Sequence, residues 1–514
     1  MNESKVVVGV GPVSFADVVA VARHDAGVTI SSEALDAVAA SRVHIEALAG
    51  APTPVYGVST GFGALATRHI PHELRTQLQR SLIRSHAAGT GDEVEREVIR
   101  AMMLLRLSTL TTGRTGVRTE TAQAYADLLS AGLTPVVYEY GSLGCSGDLA
   151  PLAHVALAVM GEGHVRTADG ALEPSGEAMA ARGLVPVTFA EKEGLALING
   201  TDGMLGQLVL ALTDLASLFR LADVAAAMSV EGQLGTDRVF ADDLQRLRPH
   251  PGQAASAANI RSVLADSAIV ASHRGDDCTR VQDAYSLRCS PQVAGAARDT
   301  AEHARVVAER ELASVIDNPV ITPDGRVESN GNFHGAPVAY VLDFLSIAVA
   351  DLASISERRT DRFLDAARNH GLNPFLADDP GVDSGHMITQ YTQAAIVSEL
   401  KRLAAPASVD SIPSSAMQED HVSMGWAAAR KLRRGIDGLT QVLAIEVLNA
   451  ARGIELRAPL TPAPATAAVI AAVREHVQGP GGDRYLAPEI GAVVELARTG
   501  ALVDAAESVV GALS

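Results

Sequence analysis

The sequence predicts a mainly α-helical protein: an elongated bundle of long helices joined to a smaller N-terminal region of mixed loops and shorter helices. Three observations carry this expectation. Hydrophobic residues make up 47% of the 514-residue chain and aromatics only 4%, so its cores must be built from Ala, Leu, Val and Ile, whose small side chains favour close helix packing. Periodic segments over 294–315, 337–369 and 421–451 run far beyond an ordinary globular helix. Short strand candidates occur only near the start, at 6–8 and 28–30.

Between those two strands, Ser14-Phe15-Ala16-Asp17 reads as a capping-box-like helix start, with hydroxyl and carboxylate placed to exchange hydrogen bonds with the first turn. From there the pattern is overwhelmingly helical. Asp317-Asn318-Pro319, Pro323-Asp324-Gly325 and Gly479-Pro480-Gly481-Gly482 are turn-rich breaks, and neither an internal repeat nor a low-complexity linker is evident. The expected division is between residues 1–199, a region of loops and shorter helices, and 200–514, the bundle and C-terminal helices, within one continuous domain.

Charge and composition narrow the function. A formal net charge of -18 leaves no basic surplus to displace counterions from nucleic acid, and Lys431-Leu432-Arg433-Arg434 reads as a solvated or ion-paired helix face. The apolar stretches 204–228 and 338–355 are interrupted by Asp214, Arg220 and Asp223, and by Asp343 and Asp351, so they read as buried bundle helices and not membrane spans. The start of the chain lacks a signal-peptide pattern. An odd count of cysteines, Cys145, Cys278 and Cys289, points to a reducing compartment, with cytoplasm as the expectation.

The most informative stretch is Gly141-Ser142-Leu143-Gly144-Cys145-Ser146-Gly147-Asp148-Leu149-Ala150-Pro151-Leu152. Its tripeptide is able to cyclise. The amide nitrogen of Gly147 would attack the carbonyl of Cys145, an approach that glycine leaves open, with the carbonyl oxygen leaving as one water and the Ser146 hydroxyl as a second. The product is a methylidene-imidazolone whose exposed methylene carbon accepts electron pairs, which no ordinary side chain does. A helix beginning near Asp148 would aim its positive end at this loop. Taken alone, the same string is more simply a tight turn capped by Asp148. It is not the Gly-x-Ser-x-Gly of a nucleophile elbow, and Cys145 has no neighbouring cysteine for a metal or redox pair.

The wider context decides between these. Tyr56-Gly57-Val58-Ser59-Thr60-Gly61-Phe62-Gly63, Ser85-His86-Ala87-Ala88-Gly89, the Ser146 segment, Asn199-Gly200-Thr201, Gln282-Asp283-Ala284-Tyr285-Ser286-Leu287-Arg288-Cys289, Ser329-Asn330-Gly331-Asn332-Phe333-His334-Gly335 and Gln418-Glu419-Asp420-His421-Val422-Ser423-Met424-Gly425 occur in that order. With them the chain resembles the aromatic amino acid ammonia-lyase family over essentially its whole length.

The resemblance implies a prosthetic group formed autocatalytically from Cys145, Ser146 and Gly147, with no metal or diffusible cofactor required. It implies Tyr56 as the base that removes the substrate β-proton, with a lowered pKa, and Tyr285 as a further catalytic residue. Arg288 is implied to hold the α-carboxylate, a role its planar fork suits, with Gln282, Asn199 and Phe333 as further site residues. Tyr285 and Arg288, three apart, share one face if locally helical. The polar pair Ser85-His86 and the carboxylate of Glu419 stand at positions that set substrate choice, and they point to an imidazole side chain, that of L-histidine. Elimination would give trans-urocanate and ammonia, the first step of histidine degradation. A family-like homotetramer, with sites shared between subunits, would explain why the motifs lie so far apart.

Departures from the family pattern are Cys145 where Ala is usual, Ser59 where many relatives have Asn, and Ala313 before Ser314 where Asn is common; His386 is atypical and has no assigned role. The rival within the family is a phenylalanine or tyrosine lyase, or an aminomutase. Outside it, Gly9-Val10-Gly11 with Ser14 and Glu33 suggests nucleotide binding but lacks a third glycine, and a non-catalytic helical scaffold is the remaining alternative.

Overall fold

The computed structural model describes residues 5–50, 54–275, 278 and 281–514. Helix accounts for 58% of the chain, in twenty α-helices among the described residues, which is the mainly α architecture expected. The chain forms two compact units: residues 1–210, 305–343 and 406–430, and residues 211–304, 344–405 and 431–514. Four of the five boundaries fall inside long helices, Asp202–Gly232, Ser290–Leu312, Ala336–Leu364 and Gly425–Glu455, and the fifth, after Ala405, follows helix Met387–Leu403. The three periodic segments correspond to the last three of those four long helices.

In the first unit, Lys5–Val8 pairs in parallel with Gly27–Ile30. Between them lies helix Phe15–Arg23, whose Ser14 and Asp17 form the capping box expected from their spacing. The unit is built on helix Arg96–Thr111, in which every residue from Val98 to Thr111 is buried. That helix carries Arg106 through an apolar interior, where the guanidinium donates to the carbonyls of Ala196 (3.2 Å), Asn199 (3.1 Å) and Ile316 (2.8 Å) and pairs with Asp202 (3.3 Å). A buried arginine is tolerated because its two terminal nitrogens donate to carbonyls and the Asp202 carboxylate balances its charge. Beneath it lies a second buried pair, Lys192 with Asp317.

Short strands absent from the sequence reading occur at Thr90–Glu93 with Tyr138–Tyr140, in a three-stranded sheet of Thr134–Pro135, His164–Arg166 and Leu172–Pro174, and at Val320–Ile321 with Val327–Glu328. Each is two to four residues long, too short for alternation to register. The last pair turns at Pro323-Asp324-Gly325, one of the predicted breaks.

In the second unit buried polar networks bind the helices. Glu446 accepts from Ser229 (2.6 Å), Ser356 (2.5 Å) and Arg359 (2.7 Å), joining three long helices through charge-assisted bonds. Arg433 pairs with Asp214 at 3.1 Å, as an ion-paired helix face requires. His386 is a core residue: its Nδ1 lies 3.1 Å from Asn449 Oδ1, and burial with the nearby Arg452 charge holds its pKa down to about 4. Helix Ala336–Leu364 is long and apolar enough to cross a membrane, but 61% of its most apolar window is buried inside the fold, as in a core helix.

Candidate active site

The Ser146 loop sits between the Asn199-Gly200-Thr201 turn and two later segments of the first unit. Gly147 adopts a left-handed φ of 78°, and a Cβ there would collide with the Gly200 backbone, so both conformation and packing demand glycine. Asp148 N donates to Gly200 O at 2.7 Å. On the other flank, Ser423 Oγ donates to Gly144 O (2.7 Å), Gly335 N to the same carbonyl (3.1 Å) and Met424 N to Leu143 O (2.9 Å). The three motifs 141–148, 329–335 and 418–425, far apart in the chain, thus meet through their backbones.

Helix Leu149–Val159 begins directly after the tripeptide, so its positive end faces the loop as expected. Asp148 does not cap it. Its carboxyl group instead accepts from Ser142 Oγ (2.9 Å) and from Met204 N (2.9 Å) in the first turn of helix Asp202–Gly232, and complete burial pushes its pKa up to about 7.

Glu419 reaches the tripeptide from a strained turn in which Ser415, Ala416 and Met417 all have positive φ. Its backbone pairs with Ser414. One carboxylate oxygen, Oε1, accepts from Ser146 Oγ at 3.1 Å, while Oε2 accepts from Cys145 Sγ at 3.0 Å and Ser414 Oγ at 2.8 Å. Burial, with Glu419 beside it, pushes the Cys145 thiol up to about 12, so it stays protonated and acts as a donor.

Tyr56 lies on a half-buried turn anchored by Val58, which packs against Ile45 and Ile321. Ser59 closes that turn by accepting from Val55 N at 3.0 Å, which shows how the chain accommodates serine there. Gly63 N donates to the Tyr56 hydroxyl at 3.4 Å. The lowered pKa expected for Tyr56 is not what this chain alone produces. Burial raises it, and the charges of Glu419 and Asp317 add to the rise, outweighing the opposing Gly63 N–H.

Helix Arg75–His86 ends in the predicted polar pair, both of whose members bond to their own helix. Ser85 Oγ donates to Leu82 O at 3.0 Å, and His86 Nδ1 lies 2.9 Å from the same carbonyl. Nδ1 therefore carries the hydrogen in the neutral ring, leaving Nε2 as an acceptor. Burial lowers the His86 pKa, while Glu419 acts in the opposite direction, so Glu419 is electrostatically felt by both His86 and Tyr56.

Asn199 is buried, with Nδ2 donating to Asn318 O at 3.0 Å and Oδ1 without a partner among the described residues. A buried acceptor left open in this way is suited to a ligand donor. Phe333 is half-buried on the segment that Gly335 ties to the Ser146 loop. The remaining predicted residues belong to the second unit. There Tyr285–Arg288 forms a helical turn that places the Arg288 guanidinium 4.7 Å from the Tyr285 ring centre, the shared face that their spacing predicts. Gln282 and Arg288 line a cavity of about 460 Å³, and Arg288 Nε has no partner among the described residues.

Three supporting residues escaped the sequence reading. Arg106 left a faint signal, a charge inside the apolar run Met103-Leu104-Leu105-Arg106-Leu107. Ser142 and Ser414 left none, since their partners are set by irregular loops. The residues fit an internal methylidene-imidazolone: the tripeptide is irregular, Gly147 is cradled where no side chain fits, and the unpaired Asn199 Oδ1 lies in the adjoining turn.

Comparison with known proteins agrees with this architecture. The family described as aromatic amino acid lyase matches residues 13–475. The chain belongs to that family. It is 66% identical over 510 residues to a Streptomyces avermitilis protein named histidine ammonia-lyase, covering 99% of each. Among solved structures, it is similar to histidine ammonia-lyase from Trypanosoma cruzi, with a TM-score of 0.89 and 38% identity over 98% of this chain and 95% of that one. It also resembles a tyrosine aminomutase from Streptomyces globisporus, with a TM-score of 0.92 and 36% identity over 98% of each chain.

Proposed function

We propose that the chain removes ammonia from L-histidine to give trans-urocanate, the first step of histidine degradation, as a carbon-nitrogen lyase of its family. The observation that carries the reading is Glu419. Its carboxylate touches Ser146 and Cys145 and is electrostatically coupled to Tyr56 and His86, so one acceptor for an imidazole N–H stands among the groups assigned to the chemistry. The full-length likeness to proteins named histidine ammonia-lyase supports the same substrate.

When formed from Cys145, Ser146 and Gly147, the methylidene-imidazolone supplies an electron-accepting carbon, and no metal or diffusible cofactor is required of the chain. Tyr56 takes the substrate β-proton at its hydroxyl oxygen. Its pKa, raised in the protein alone, calls for a cation to favour the phenolate, and a substrate ammonium supplies one. Asn199 Oδ1 accepts from the substrate amino group. Glu419 and the acceptor Nε2 of His86, with Ser85 beside it, hold the imidazole, and half-buried Phe333 packs against the ring system. A site that hydrogen-bonds a ligand N–H rejects analogues lacking it by roughly 10⁴-fold or more.

Arg288 takes the α-carboxylate, with Gln282 and Tyr285 completing the site from another subunit of a homotetramer. This is supported by the exposure of Tyr285 and by the stripe of Tyr340, Phe344 and Ile347 that helix Ala336–Leu364 leaves uncovered. The unpaired cysteines and the acidic charge suit a cytoplasmic enzyme with neither nucleic acid nor membrane as partner.

Steady-state rates with histidine, phenylalanine and tyrosine test the assignment: histidine turnover with urocanate as product is expected, and preference for either other substrate would overturn it. Mixing inactive Ser146→Ala and Arg288→Ala subunits tests the assembly, because shared sites restore activity in hybrids and self-contained sites do not.

A further inference from the structure

We infer that the Cys145 thiol, together with the Ser414 hydroxyl, is a positioning device that aims Glu419 at the substrate side chain, so that the first ring residue contributes to specificity as well as to the ring backbone. This rests on the reading of Glu419 as the imidazole acceptor. Ring closure uses only the backbone of Cys145, so its thiol is free to serve another purpose, and it points at Glu419.

The geometry separates the two carboxylate oxygens. Oε2 is occupied by two donors on different segments, Cys145 Sγ at 3.0 Å and Ser414 Oγ at 2.8 Å, while the Ser414–Glu419 backbone pair fixes the stem of the side chain. Cys145 is 5% exposed, so water does not readily replace a lost thiol donor. With Oε2 held from two sides, rotation of the carboxylate is restricted and Oε1 points to one place, the Ser146 hydroxyl 3.1 Å away. Maturation changes that partner alone. When the tripeptide closes and Ser146 loses its oxygen as water, the donor to Oε1 leaves while Cys145 keeps its side chain and Ser414 is untouched. Oε1 is then an acceptor without a protein donor, held beside the new methylene. Dehydration therefore creates the electron-accepting carbon and uncovers the acceptor that selects the substrate, and the thiol keeps that acceptor in place through the change.

The Cys145 bond is present without ligand, so its loss acts on binding through the aim of Oε1, and ligand affinity is expected to fall by roughly 10-fold. The experiment uses the full-length Ser146→Ala protein, in which Oε1 has no Ser146 donor and turnover does not obscure binding. L-histidine and L-phenylalanine are titrated by calorimetry into this protein and into versions also carrying Cys145→Ala or Cys145→Ser. The account expects Cys145→Ala to weaken histidine by roughly 10-fold, Cys145→Ser to restore most of that affinity through its hydroxyl, and phenylalanine to be affected little. Equal weakening of both ligands would overturn it by showing a merely packing role for sulfur. Unchanged histidine affinity in Cys145→Ala would overturn it outright. Failure of the substrate assignment looks different: the Ser146→Ala protein would then prefer phenylalanine whatever stands at 145.

Discussion

Gly147 lies against the backbone of Gly200, with Asp148 N donating to Gly200 O at 2.7 Å, so the Cys145–Gly147 tripeptide is pressed onto the turn that carries Asn199. The left-handed φ of Gly147 and the collision a Cβ would meet act together. Gly147→Ala is expected to block ring formation and to destabilise the fold by about 1–3 kcal/mol. Peptide mass analysis, which reads the loss of water, and chemical denaturation check the two effects separately.

Tyr56 has a raised pKa because it is buried near anions, and Glu419 is one of them. Replacing that charge removes a raising influence, so the phenol of Glu419→Gln titrates at lower pH than in the parent. An ultraviolet phenolate titration, taken as the difference between each protein and its Tyr56→Phe counterpart, reads this directly. An unmoved or upward-shifted titration would contradict the arrangement. Tyr56→Phe itself should keep the modified peptide and lose turnover.

Lys192 and Asp317 are both fully buried and paired with each other. Lys192→Met leaves the buried Asp317 without its paired ammonium, which costs about 3–5 kcal/mol, whereas removing both charges as Lys192→Met/Asp317→Leu recovers much of the loss. Urea denaturation of the two variants is the check.

Asp148, with a pKa pushed up to about 7 from an ordinary 3.8, binds its proton more tightly folded than unfolded. Its contribution to stability is fully present below the unfolded value and is lost as pH rises through about 7. The wild type should therefore lose stability relative to Asp148→Asn between those limits, by at most about 4 kcal/mol. Denaturation midpoints for both proteins across that range would show the difference, and parallel curves would exclude it.

The long helices were legible because small apolar residues repeat with helical period over more than twenty positions, and the Ser14 capping box because its two partners lie three apart. The site motifs were legible as short strings, yet their meeting was not: Ser423 and Gly335 reach the same Gly144 carbonyl across long sequence separations. Ser414 was invisible because its bond to Glu419 depends on three consecutive left-handed residues that no period announces. The direction of the Tyr56 shift also escaped, since it depends on burial and on charges brought near only by folding. The buried role of Asp148 was hidden for a similar reason. Its partners, Ser142 and Met204, become available only when the loop folds against the next long helix.

In the proposed mechanism Ser146 is the source of the electron-accepting methylene, and its hydroxyl faces Glu419 at 3.1 Å. The most direct measurement is therefore made on Ser146→Ala, comparing histidine turnover and the mass of the peptide spanning residues 145–147 with the wild type. The account predicts a wild-type peptide lacking two waters, and a folded variant that cannot lose the serine water and whose turnover falls by roughly 10⁴-fold or more. An unmodified peptide in fresh wild-type protein, or substantial turnover by Ser146→Ala, would contradict it.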